Sequence, residues 1–537
     1  MDLGQFTRVY TGLRNHRSLT FSFLTAFVLT LAACASGPAG QGAKQEVAAE
    51  NHQEKAAQDS AASTANPCPA SSTIQMQAIM PTLFLTSGNQ IGADCLAWQE
   101  FIYLNWRAQP GNPGNPDPTA SAADFGLPTD LQPKVWESYE SLEQVFAPQS
   151  SKMASKSSAS QLLQLAYTSE LANIHLLSIG QAGNGKWLTS QGGDLVYYDV
   201  RLNLDEAQFI QQNQLTTFAG QQACASNQQA QQKGVGGLNL PQGGNQDTDC
   251  SGNPQTYGLN LGTIELKSAW VQLPVDHSLD YRYLTTQANI VPPIGQPYTA
   301  TVGLVGLHIV HKLQGGPQFV WATFEQIDND PDNNNGNPQP PQLPPNPNQQ
   351  PATGYQFYSA SCTSQSDPFY QCKPNELPGT PCTTLAPPYQ PSGCDPYNAP
   401  IQVTRIYAVD STANSATGYA WTLMPAKSVF NYYRLIEVQW PNAPAPLPPG
   451  SVTPLTTGDI TPNASTLITA NTTAETYVQN THTCMSCHMN APIATPSSVA
   501  LMRVQNGSMQ RQVMLGKQTT STYASDYSFI FAAGTNH

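Results

Sequence analysis

Charge is scarce in this chain, and basic charge is scarcer still. Only 11% of its 537 residues are charged, and 22 Lys and Arg face 35 Asp and Glu, for a net charge of −13. With no basic cluster, the counter-ion release that drives nucleic-acid binding has no surface to work through, so nucleic acid is not expected as a partner. Membrane-spanning length is lacking as well: the apolar run at residues 19–31 is too short for a comfortable span. G-x-S-x-G, H-E-x-x-H, Walker and G-x-G-x-x-G patterns are absent, so hydrolase, zincin and nucleotide readings gain no support. What the chain has instead is Gln, Asn, Ser, Thr, Pro and Gly, a composition that suits a secreted, loop-rich β protein of two or three domains.

The first residues point to export. Arg8, Arg14 and Arg17 precede the apolar run, as in a signal peptide. The run ends in Leu31-Ala32-Ala33-Cys34, which resembles a bacterial lipobox. That resemblance implies a signal peptide over 1–33, cleavage before Cys34 and lipid on its thiol and new amino group. The plainer alternative is a secretory peptide with an incidental cysteine. Ala35, not Asp, follows Cys34, and by the same resemblance this favours the outer membrane over retention at the inner one. Residues 34–70 hold almost no large apolar side chains and read as a disordered tether.

Near the other end stands Cys484-Met485-Ser486-Cys487-His488, the C-x-x-C-H attachment signature of c-type haem. Two thiols at this spacing can add across the two vinyl groups of one porphyrin edge. His488, directly after the second, can then reach the iron from the proximal side. A redox disulfide or half of a zinc site would also use two cysteines. The first wants a βαβ setting and the second another C-x-x-C, and neither is present. The expected cofactor is thus one covalent haem c, bound by Cys484, Cys487 and His488, in a segment at 461–537. Of eleven cysteines, Cys34 is assigned to lipid and two to haem. The remaining eight, Cys68, Cys95, Cys224, Cys250, Cys362, Cys372, Cys382 and Cys394, suit four disulfides in an oxidising compartment. Connectivity is open; 224–250, 362–372 and 382–394 are the simplest local pairs.

Between tether and motif, residues 71–460 read as a large α+β body: N-terminal helices on a mainly antiparallel sheet, followed by the small helical haem segment. Helices are expected at 94–106 with Asp94 as N-cap, at 134–146, at 159–179 carrying His175, at 205–215, and at 471–480 with Asn471 as cap and Glu475 in its first turn. Strands are expected at 194–202, 262–272, 402–409, 419–423 and 429–440, with a long hairpin at 302–327. Residues 216–257 read as a stapled surface loop and 333–353 as a solvated Pro/Asn linker or insertion. Asp328, Asp330 and Asp332 start like a calcium loop, but Asn333 and Gln339 stand where Gly and Glu are needed, so the stretch reads as an acidic turn. His308 and His311 are three apart on one strand, hence on opposite faces, and cannot share a metal.

Several phrases together resemble bacterial exported proteins known only as cytochrome c family proteins. They are residues 97–106, 135–139, 262–270, 305–309, 319–325, 434–441 and 471–477, ahead of the C-x-x-C-H. The likeness spans about 90–530 and implies one haem near the C-terminus of a large body, with no established substrate. The 333–353 insertion and the cysteine-dense 362–394 segment depart from it.

Function then turns on the sixth iron ligand. Candidates are His308, Met502, Met509 and Met514, with His482 and Met489 less well placed. A strong ligand there gives an electron-transfer lipoprotein of the cell envelope, with a redox partner protein that the sequence does not identify. An open position gives a peroxidase- or oxygenase-like oxidoreductase, and a third alternative is a haem-stabilised binding or redox-sensing protein. The lipid anchor has a direct test: Cys34→Ala should move the protein from the membrane fraction to the soluble one, and continued membrane association would refute the lipobox.

Overall fold

The computed structural model describes residues 65–84, 89–147, 162–167, 179, 181–182, 186–334, 336–349, 354–362, 372–377, 396–441, 445–455, 470–479, 483–494, 501–505, 508–512 and 523–534. The fold is α+β. Its centre is an eight-stranded, mostly antiparallel sheet. In chain order the strands are β1 (Glu140–Ser141), β2 (Leu163–Ala166), β3 (Val196–Leu202), β4 (Thr263–Gln272), β5 (Thr285–Val291), β6 (Tyr298–Leu313), β7 (Gly316–Gln326) and β8 (Tyr433–Gln439). The helices are α1 (Gln90–Leu104), α2 (Leu142–Phe146), α3 (Leu204–Gln212), α4 (Phe218–Ala225), α5 (Gln228–Lys233), α6 (Ser411–Leu423) and α7 (Cys484–His488). Among the described residues no helix is long and apolar enough to cross a membrane.

Strand β6, with 16 residues, organises the sheet. Strand β4 pairs along one of its edges. The other edge is shared: β5 takes Tyr298 to Gly303, and β7 takes Gly306 to Leu313. Strand β8 extends the sheet beyond β7, β3 and β1 extend it beyond β4, and β2 joins β5 as the one parallel pair.

Side chains alternate across a strand, so residue parity divides the interior in two. From β6 and β7, Leu307, Ile309, Val320, Ala322 and Phe324 enter one core with α1 and α6. Val310, Phe319 and Trp321 enter a second core with Met485, Ile493, Tyr527 and Phe531 from the C-terminal segment. Burial on both faces explains why the apolar pattern of β6 alternates imperfectly in sequence.

Helix α1 is buried over its whole circumference from Gly92 to Leu104. Trp98 and Phe101 pack edge-on and tilted against Phe324, with ring centroids 5.0 and 4.5 Å away. Two of its buried polar residues are bonded to neighbouring segments. Gln99 bonds Gln75, Gln77 and Ile79, and Glu100 Oε1 lies 2.6 Å from His311 Nδ1. The helix starts at Gln90 with Asn89 before it, so Asp94 is interior and not the cap. Asp94 is needed inside instead, where its carboxyl meets Thr412 Oγ1 at 2.6 Å and Gln90 Nε2 at 3.0 Å.

Several expectations from sequence are corrected. Residues 134–146 form a short 3₁₀ turn, β1 and α2 rather than one helix, because Ser141 makes a capping box with Gln144 and restarts the helix there. Leu163 to Ala166 is a strand with alternating burial, not part of a helix; His175 lies outside the described residues. Residues 419–423 end helix α6, which Asp410 caps and which buries Ala413, Ala416, Thr417 and Ala420 at helical spacing; 402–409 is irregular. The stapled region at 216–257 contains α4 and α5. A further strand, β5, went unforeseen. Disulfides join Cys68–Cys95, Cys224–Cys250 and Cys362–Cys372; Cys382 and Cys394 lie outside the described residues. Cys68 is thereby tied to α1, so the end of the 34–70 tether is anchored. In the 333–353 stretch, Asn337–Gln339 pairs with Asp332–Asn334, and Asn346 and Gln349 bond Asn431, so these described residues lie on the body and are not a free linker.

The α1–α6 contact carries a titratable group. Burial pushes the Asp94 carboxyl up to about 8, helped by nearby Asp410. One Thr412 hydroxyl contacts both carboxyls at 2.6 Å and has a single hydrogen to give. A protonated Asp94 completes the chain by donating to Thr412, which donates to Asp410. The folded state therefore holds this proton up to about pH 8, while the unfolded chain releases it near the usual carboxylate value. Asp94 accordingly favours folding most at low pH, and its contribution falls as pH rises to about 8. Asp94→Asn should flatten the denaturant-stability profile over this window and raise stability above it. A variant profile parallel to wild type would contradict the assignment.

Candidate functional site

Three cross-strand rows on the second face of the sheet set the site. Strands β4, β6, β7 and β8 align Glu265–Val310–Trp321–Gln439 in one row and Lys267–His308–Thr323–Glu437 in the next. In the third, Ala269, Gly306, Glu325 and Arg434 align. The C-terminal segment lies across these rows.

Residues 471–474 sit directly on the third row, where Gly306 leaves room: a Cβ there would stand 2.4 Å from Thr473 Oγ1. Asn471 Nδ2 donates to Thr323 Oγ1 and to the Phe324 carbonyl at 3.0 and 2.8 Å. Thr472 N donates to Glu325 Oε1 at 2.6 Å, and Glu325 also pairs with Arg405. Tyr198 Oη donates to the Thr473 carbonyl at 2.7 Å and Lys267 Nζ to that of Ala474 at 2.6 Å. These anchors replace the expected helix at 471–480, which is a series of turns. Asn471 does act locally as a cap, accepting from Thr473 N and Ala474 N, and Glu475 Oε2 accepts from Asn471 N.

Helix α7 carries the whole C-x-x-C-H motif. Cys484, Cys487 and His488, at i, i+3 and i+4, share one helical face. The Cys484 amide donates to Gln439 Oε1 at 3.0 Å, fixing the start of the helix on the first row. Cys484 is a free thiol, which burial, with Glu475 and Glu437 nearby, pushes well above its ordinary value. That is the reverse of the lowered thiol expected of a redox-active C-x-x-C. Cys487 is disulfide-bonded, and its partner is not among the described residues, so thioether formation requires reduction of that bond.

His488 is oriented by a single short contact: its Nδ1 lies 2.6 Å from the Tyr527 carbonyl, to which it can only donate. Nε2 is thereby left as the lone-pair nitrogen, the tautomer that a metal-ligating imidazole needs. Burial lowers the pKa of the ring to about 4, so it is neutral at physiological pH. Trp321 and Phe529 flank it, with ring centroids 5.7 and 5.1 Å away.

The carbonyl that holds His488 comes from an unusual turn. Asp526 and Tyr527 both have positive φ, 55° and 66°. Asp526 Oδ2 accepts from Leu240 N at 2.7 Å and from Lys312 Nζ at 2.5 Å, with both side chains buried. A buried ion pair from the end of β6 thus holds the turn that aims the histidine.

His308, the large-body candidate, lies on the site face; His311 lies on the other, with Nδ1 on Glu100 and Nε2 at 3.0 Å from the Leu261 carbonyl. His308 Nε2 is buried without a hydrogen bond, and Glu475 Oε1 stands 3.6 Å away. Burial, then Lys267 and His488, hold its pKa well below the ordinary value. Met502 and Met509 belong to a two-stranded ribbon, opposite Arg511 and Val504; Met514, His482 and Cys34 lie outside the described residues. Met489 follows His488, and its carbonyl accepts from Leu455 N. Among the described residues no group of three or more His, Cys, Asp or Glu is placed to hold a bare metal ion. The three calcium-like carboxylates have separate uses: Asp328 pairs with Arg282, Asp330 accepts from Thr472, and Asp332 accepts from Gln342 N.

Lys267, Trp321 and the Tyr527 carbonyl were not anticipated as site residues. Strand parity could have found the first: Glu265 and Lys267 are the charged residues of the strand and share one face of it.

The donor set fits a haem. Two sulfurs, that of Cys487 in a disulfide, and one neutral imidazole lie on one helical face, and His308 offers a second imidazole nitrogen that is buried without a hydrogen bond, 3.6 Å from Glu475 Oε1. No family model, curated protein or solved structure matches the chain.

The turn makes a stability prediction. Asp526→Ala strands the buried Lys312 ammonium and should cost ~3–5 kcal/mol in chemical denaturation. A loss under ~1 kcal/mol would show that the pair does not hold the turn.

Proposed function

We propose that this protein is an exported mono-haem c-type cytochrome that transfers electrons in the cell envelope. The observation that carries the proposal is the state of His488: neutral, half-buried and held through Nδ1 by the Tyr527 carbonyl, on the helical face that bears Cys484 and Cys487. A histidine restrained in this way presents Nε2 in the form that binds iron. When bound, haem supplies the one-electron chemistry. The chain's own residues do the rest. Cys484 and, once its disulfide is reduced, Cys487 would hold the haem covalently, His488 would ligate the iron, and Trp321, Met485 and Phe531 would exclude water from that side.

The lipobox at Cys34 anchors the protein to the envelope through the 34–70 tether, on the periplasmic side or at the outer membrane, and places the haem near a redox partner protein. The 461–537 segment is the haem-binding unit, and the sheet is the platform on which it rests. A haem enzyme is the second reading, because His308, Lys267 and Glu475 could furnish acid–base groups if the iron were left open.

Attachment is tested by substitution. Replacing both Cys484 and Cys487 by Ala should abolish haem that survives denaturing electrophoresis, whereas His488→Ala should keep the thioethers and alter the Soret band. Haem persisting on the double variant, or an unchanged Soret band in His488→Ala, would overturn the assignment.

A further inference from the structure

We propose that His308 is the second axial ligand, so that the iron is closed by two histidines and the protein carries electrons without binding small gases. The inference rests on the haem reading of the C-x-x-C-H motif.

Elimination among the described histidines comes first. His277 is exposed and pairs with Asp280. His311 is on the opposite face with both ring nitrogens engaged. His488 is the proximal residue of the motif. His308 remains, on the same sheet face as α7, with a buried Nε2 that has no hydrogen bond and only the Glu475 carboxylate, 3.6 Å away, beside it. A buried polar atom without a hydrogen bond is destabilising, and a metal bond is a natural means of removing that cost.

Placement agrees. His308 and Trp321 belong to adjacent rows on neighbouring strands, and the Trp321 ring is 5.7 Å from that of His488. Diagonal neighbours of this kind lie roughly 7–8 Å apart, with their Cβ atoms somewhat closer, so His308 is one residue row from the Trp321 ring that packs on His488. The other basic side chain there is unsuited to ligation. Lys267 Nζ is committed to Gln181 Oε1 at 2.7 Å and the Ala474 carbonyl at 2.6 Å. Thr323, opposite His308 on β7, is occupied by Asn471.

The test uses the full-length chain matured with c-type haem. Wild type should give a low-spin ferrous spectrum unmoved by CO. His308→Ala should keep its haem through denaturing gels, turn high-spin and bind CO. His308→Met should stay low-spin with a raised reduction potential, since methionine for histidine raises it. The proposal is overturned if wild type binds CO, or if His308→Ala stays low-spin and inert to CO. Should His308→Ala fail to fold, the wild-type CO response and the potential of His308→Met decide: an unshifted potential counts against ligation. Absence of covalent haem from wild type itself would refute the motif reading and this proposal with it. Haem present without dependence on residue 308 refutes the proposal alone.

Discussion

The structure depends on one constraint: the β6–β7 hairpin is buried on both faces, so each strand must satisfy two interiors at once. Leu307, Ile309 and Phe324 serve the helical core, whereas Val310, Phe319 and Trp321 serve the C-terminal one. A slip of one residue would exchange these sets. It would also carry His308 to the α1 side and His311 to the site. The register that builds the fold is thus the register that places the candidate ligand.

The two faces are polar in different ways. On the helical side, buried polar groups are paired one to one, as with Glu100 and His311 or Trp98 Nε1 and Thr417 Oγ1, although Gln90 Oε1 and Asn414 Oδ1 are buried there without a hydrogen bond. On the C-terminal side they form a continuous layer: Glu325 with Arg405, Asp330 with Thr472, Lys267 with Ala474, Lys312 with Asp526. Many of these bonds join the sheet to residues 470–479 and 523–534, which explains how a segment short of regular structure is held in place. Within that layer, His308 Nε2 and Trp321 Nε1 are buried without partners. The Trp321 ring packs 5.7 Å from that of His488 in the C-x-x-C-H helix.

Much of the sheet was legible in the sequence. The hairpin at 302–327, β3 and β4 have long β-branched or aromatic runs, and Gly315-Gly316 marks the turn between β6 and β7. Other elements were hidden for physical reasons. Helix α6 is built from Ser, Thr, Ala and Gly, whose weak apolar pattern hid its helical period, although Asp410 offered the capping signal. Helix α1 is buried all round, so its start could not be read from a stripe. At the site, the motif named Cys484, Cys487 and His488, and strand period placed His308 and His311 on opposite faces. The Tyr527 carbonyl was invisible, since its role comes from two positive-φ residues and an ion pair formed across 214 positions.

The central claim is that α7 carries a covalent haem, and the pyridine haemochrome of the denatured, solvent-extracted protein tests it most directly. Two thioether bonds saturate both vinyl groups, so the account predicts haem that resists extraction and an α band at shorter wavelength than that of unmodified haem b. Haem that extracts freely, or a polypeptide without haem after maturation in a host that makes c-type cytochromes, would contradict it.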